Sequence, residues 1–122
     1  MKKFLLPLVL LLAGCHAATS TTPPVALAPG FSSQADQTVD QILVGARVFY
    51  VSIQDSVNAQ TYTPTPAALK ALNDFGVALN TAETVYLAYH NGTATLAQAQ
   101  AAAATVSTQQ TAVSTLVTGA TQ

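Results

Sequence analysis

After Gly30, apolar side chains recur every third or fourth residue in three successive stretches, and each stretch is closed by residues that do not continue a helix. A repeat near 3.6 residues gathers the apolar set onto one face of an α-helix. In the first stretch the stripe is Ala35, Val39, Ile42, Ala46, Phe49, Ile53 and Val57. Ser32 or Ser33 can cap its start, and Asp36 falls in the first turn, where a negative charge meets the positive end of the helix dipole. The β-branched and aromatic residues from Val48 to Val51 favour a strand instead. The stripe runs for about six turns, and that length decides for a helix.

The segment Thr61-Tyr62-Thr63-Pro64-Thr65-Pro66 ends the first helix and opens a second. Pro66 suits a first helical turn, where its missing N–H is not needed, and Thr65 is a good cap before it. The second stripe is Ala68, Leu72, Phe75, Leu79, Ala82, Tyr86 and Tyr89, and Asn91-Gly92 supplies the left-handed backbone that stops it. A third helix is expected from Thr95, whose hydroxyl and Gln98 have the spacing of a capping box. Leu96, Ala99, Ala103, Val106, Gln110, Val113 and Leu116 continue its inner face as far as Gly119.

Short connections make sequential helices antiparallel neighbours, so the pattern predicts an all-α fold, a small antiparallel three-helix bundle over residues 31–122. A bundle of roughly 90 residues buries only about 60 to 65% of its unfolded surface, and partner contacts then matter to its stability. Gly45 and Gly76 lie inside helices, where each costs about 1 kcal/mol relative to alanine and permits close helix approach.

The start of the chain has a different character. Lys2 and Lys3 precede an apolar run from Phe4 to Leu12, broken only by Pro7, and small residues follow at Ala13 and Gly14. A basic start, a short apolar stretch and a small-residue cut site make up a secretory signal. The run falls short of the roughly 20 apolar residues that cross a bilayer as a helix. Leu12-Ala13-Gly14-Cys15 resembles the lipobox of bacterial lipoproteins, and the match covers the leader alone. The resemblance implies cleavage between Gly14 and Cys15, a signal peptide over 1–14, and acylation of Cys15 as the mature N-terminus. Two or more acyl chains hold a protein to a membrane where one does not, since each buried methylene contributes roughly 0.8 kcal/mol. In that family an Asp after the cysteine often retains the protein in the inner membrane. This chain has His16 there, which points to the outer membrane, facing the periplasm, in a host with two.

Residues 16–30 are small and polar and contain Pro23, Pro24 and Pro29, a composition that favours extended backbone. This tether, with Cys15 as its lipidated end, spans up to about 45 Å at roughly 3.1 Å per residue.

Charge excludes several functions. Without the leader, Arg47 and Lys70 face Asp36, Asp40, Asp55, Asp74 and Glu83, a net charge of −3. So few cations cannot neutralise a row of phosphates, which removes nucleic acid from the expected partners. They also argue against a basic helix lying on a membrane surface.

Groups for chemistry are scarce. The only histidines are His16 and His90, and the single cysteine cannot form an internal disulfide. Asp36 and Asp40, four apart, read as a solvent-exposed acidic first turn rather than paired catalytic carboxylates. A hard cation wants six or more oxygens and a di-iron bundle needs Glu-x-x-His pairs, whereas Glu83 has Tyr86 three positions on. No metal or cofactor is expected, and no catalytic residue. Glu83, Tyr86, Tyr89 and His90 cluster near one face at the end of the second helix and form a candidate partner-contact patch. A half-buried tyrosine row, its hydroxyls reaching water, is the plainer alternative. From Thr84 to Gln122 there is no Asp, Glu, Lys or Arg. Exposed helices ordinarily carry charges, so alanines such as Ala97, Ala101 and Ala104 suggest a surface for close packing or self-association.

These features fit a non-enzymatic, membrane-tethered helical lipoprotein that acts as a structural or protein-interaction module of the cell envelope. In plan it is similar to small helical envelope lipoproteins such as pilotins, which chaperone outer-membrane secretion pores. The alternative is a prophage-encoded accessory lipoprotein in lysis or superinfection exclusion. Phage outer-membrane spanin subunits share the short length and lipobox, although their proline-rich mature part departs from a three-helix body.

Overall fold

The computed structural model describes residues 26 to 119, and the leader, the proposed cut site at Gly14 and Cys15, and the tether up to residue 25 lie outside the described residues. Three helices follow in order: α1 (Gln34–Asn58), α2 (Pro66–His90) and α3 (Leu96–Gly119). They pack as the antiparallel bundle that their apolar periodicity predicts, with no strand among the described residues. The stretch from Val48 to Val51 is helical. Packing along a whole helix face outweighs the weak preference of single β-branched residues.

Local signals set most boundaries. Ser33, in extended backbone, caps α1 by accepting from the Asp36 N–H at 3.1 Å. Thr65 caps α2 in the same way through the Ala68 N–H at 3.2 Å, with Pro66 as the first helical residue. Thr95 and Gln98 form the reciprocal capping box ahead of α3, the Gln98 N–H donating to Thr95 Oγ1 and the Thr95 N–H to Gln98 Oε1. At the far end of α2, Gly92 takes the left-handed backbone (φ +75°) that reverses the chain. The end of α1 differs from the expectation. Its reversal falls on Gln60, a non-glycine residue at φ +59°, held by the Thr61 N–H donating to the Ser56 carbonyl at 3.0 Å.

The core runs along the bundle axis through Val39, Leu43, Ala46 and Ile53 of α1, Phe75, Leu79 and Ala82 of α2, and Ala99, Ala103, Val106 and Val113 of α3. Helices α2 and α3 share the most extensive interface, where alanines allow close approach. Leu43 belongs to the core although it falls outside the simple stripe. Leu116 at the other end is 36% exposed, while Val117 packs inward. A straight helix drifts against a fixed three-four pattern over several turns, and the buried face moves by one residue.

The two helical glycines do different work. A Cβ on Gly76 would lie 2.7 Å from the Tyr50 hydroxyl, so glycine lets the Tyr50 ring cross over α2 and meet Phe75 edge-on at 5.7 Å. A Cβ on Gly45 meets nothing within 4 Å, and the expected close approach is absent there. Gly45→Ala should therefore raise stability by about 1 kcal/mol. Gly76→Ala should gain less or lose, because Tyr50 must swing off Phe75. Equal gains in urea unfolding would contradict this account.

Candidate functional site

Four residues from the end of α2, Glu83, Tyr86, Tyr89 and His90, are brought against α1 and the residue before its cap, and each finds a partner there. The centre of the arrangement is Asp36, whose side chain is 0% exposed. This corrects the reading of Asp36 as part of a solvated acidic turn. Its Oδ1 accepts from the Tyr86 hydroxyl at 2.8 Å and lies 3.2 Å from His90 Nε2. Its Oδ2 accepts from the Ser32 N–H at 2.8 Å and the Ser32 hydroxyl at 3.0 Å. Both carboxylate oxygens are thus used, and a charge that would be costly to bury alone is satisfied from two segments.

Burial pushes the Asp36 carboxyl up, but the Ser32 N–H, the Tyr86 and Ser32 hydroxyls and the nearby His90 outweigh it and hold the group below the usual aspartate range. The Tyr86 phenol is pushed up, first by its own burial and then by the carboxylate it donates to. Tyr86 and Tyr89 both meet the His90 ring edge-on, at 4.7 Å and 5.1 Å between centroids, and the Tyr89 hydroxyl bonds the Ser32 hydroxyl at 2.5 Å. The tyrosine row is thus half-buried at the helix interface, as the plainer reading expects, with the Tyr86 hydroxyl turned in to Asp36 and the Tyr89 hydroxyl on an exposed bond to Ser32.

This constellation contains a serine, a histidine and an aspartate in the wrong order for nucleophilic catalysis. Asp36 sits between Ser32 and His90, so the carboxylate, and not the serine hydroxyl, meets the imidazole that would have to take the proton. Asp40, the other half of the acidic pair, is partly exposed beside His90 and lines a groove with it. No group of three or more His, Cys, Asp or Glu suited to a metal ion occurs among the described residues.

Glu83 lines the same groove as Tyr86 and His90 but pairs with Arg47, whose Nε donates to Oε1 at 2.9 Å while a second guanidinium nitrogen meets Oε2. The same guanidinium also donates to Asn80 at 3.2 Å. The bidentate pair holds α1 to α2 across the floor of the groove. Sequence reasoning singled out Glu83 without its partner, because an ion pair between residues 36 positions apart leaves no local spacing signal.

The groove itself, about 400 Å³, lies between α1 and α2 from His90 and Asp40 to Val48. A second cavity of about 670 Å³ shares Arg47 and Val48 and continues along α1 to Ala59 and Thr61. Exposed apolar side chains line this trough: Val44 (55% exposed), Val48 (65%) and Leu87 (62%), with Val51 a turn further on. Val44, Val48 and Val51 are spaced as one stripe on the outer flank of α1, a second apolar face apart from the one that meets the core.

On α3, Ala97, Ala101 and Ala104 are all exposed. Its threonines spend their hydroxyl hydrogens inward: Thr105, Thr108, Thr111 and Thr115 each donate to the carbonyl four residues earlier. Comparison with known protein families, curated proteins and solved structures yields no match to this chain.

Proposed function

We propose that this chain is a lipid-anchored helical module of the cell envelope, non-enzymatic, whose body makes protein contacts. The observation that carries the reading is the leader, a basic start and short apolar run closed by Leu12-Ala13-Gly14-Cys15. No described helix is long and apolar enough to cross a membrane, and in this reading the acyl chains on Cys15 make the attachment. His16 in the following position favours the outer membrane, periplasmic side, in a host with two.

The body supports contact rather than turnover. Asp36, Tyr86 and His90 are engaged with one another, whereas the trough beside them leaves a valine stripe facing solvent. The anchor has a direct test: cells fed labelled palmitate should label the wild-type protein at full strength and Cys15→Ala not at all. Equal labelling of the two removes the anchor and leaves a helical bundle without an address.

A further inference from the structure

We propose that the trough along the outer flank of α1, walled by α2 at its Asp40 end, seats a helical segment of another envelope protein, apolar along one face and carrying a lysine or arginine near each end. The inference rests on the interaction reading above and names its partner's chemistry. Val44, Val48 and Val51 on α1 and Leu87 on α2 are all exposed and follow one another along adjoining cavities, so they form an apolar strip rather than scattered surface residues. The two open cavities they line adjoin at Arg47 and Val48, so the strip runs from one into the next. Asp40 and Asp55 flank the valines within the trough, a rise of about 22 Å along the helix, which matches four turns of a docked helix. The cation between them, Arg47, is already bound in both arms by Glu83. The trough therefore offers apolar contact in its middle and an uncompensated carboxylate at each end, and a partner complements it with cations about four turns apart.

The same charges argue against the other occupants. Two copies of α1 packed antiparallel about Val48 place Asp40 of one opposite Asp55 of the other, at both ends, and like charges so placed repel. An anionic lipid surface meets the same two carboxylates and is repelled in the same way.

The test uses the acylated full-length mature protein in neutral detergent micelles. The probes are two fluorescent helical peptides of about five turns with leucines along one face, one bearing a lysine near each end and its twin bearing glutamates. In anisotropy titrations at low salt the lysine peptide should bind about tenfold more tightly than its twin, and added salt should shrink that gap. Asp40→Asn with Asp55→Asn should bring the two peptides to within about twofold. Val44→Ser with Val48→Ser, at exposed positions that leave the core intact, should weaken both about tenfold. Equal binding of the twins, binding of neither, a gap that survives removal of both aspartates, or a wild-type dimer broken by the serine variant overturns the proposal. Palmitate labelling at Cys15 is read independently, so loss of this partner assignment leaves the anchor standing, and loss of the anchor leaves the trough's preference measurable.

Discussion

Replacing Asp36 with alanine is expected to lower the stability of the bundle by about 3 kcal/mol, on the order of 15 °C in Tm for a domain of this size. The side chain is fully enclosed, and its removal strands the Tyr86 hydroxyl, the Ser32 N–H and His90 at once. The half-buried Tyr86 hydroxyl left without its acceptor costs about 1 to 3 kcal/mol, whereas Ser32 and His90, both exposed, can turn to water. A first-turn charge that complements the dipole of α1 is lost as well. The effect should depend on pH with a definite sign. The folded-state carboxyl is held below its usual 3.8, so its contribution is fully present above that value and is lost as pH falls through the folded pKa. Urea unfolding of both proteins should show a wide gap near neutrality that narrows in acid. A gap below about 0.5 kcal/mol, or one that acid leaves unchanged, would show that the knot is ornamental.

Phe75→Ala is expected to cost more, about 4 kcal/mol. Phe75 is fully buried midway along α2, with Phe49 and Tyr50 edge-on to it at centroid distances of 5.9 Å and 5.7 Å. Truncation leaves a cavity between two helices that neither tyrosine nor phenylalanine can fill without leaving its rotamer. Domains of this size have about 5 to 14 kcal/mol in hand, so the variant should sit near its unfolding transition at growth temperature. Val77→Ala on the opposite, exposed side of the same helix serves as the control and should change little. Thermal melts followed by circular dichroism separate the two, and similar losses from both would mean that the core is not where the burial places it.

The fold was legible because its determinants are local. Helical periodicity, the Ser33, Thr65 and Thr95 caps and the Asn91-Gly92 stop each act within a few residues of chain, and all are found in place. The misses are of two kinds. Some arise where a strict spacing rule meets a real helix, as at Leu43, and at the end of α3 where Val117 rather than Leu116 turns inward. Gln60 belongs with these, since left-handed backbone is foreseen from glycine or asparagine and its side chain gives no such sign. The others are long-range. Glu83, Tyr86, Tyr89 and His90 were recognisable as a cluster on α2, but their partners Arg47, Asp36 and Ser32 stand on another segment. Once those partners are known, most of the cluster reads as the seam that joins α1 to α2, and the surface left for a partner is the valine strip next to it.

The position of the Asp36 knot also bears on mechanics. It lies where the chain enters its first helix, directly after the segment that would lead from an acylated Cys15. Any pull delivered from that side loads Ser32 before it reaches α1, and Ser32 is stapled through Asp36 and Tyr89 to the far end of α2. Such a load would be shared between the first turn of α1 and the last turns of α2 rather than falling on the tip of α1 alone.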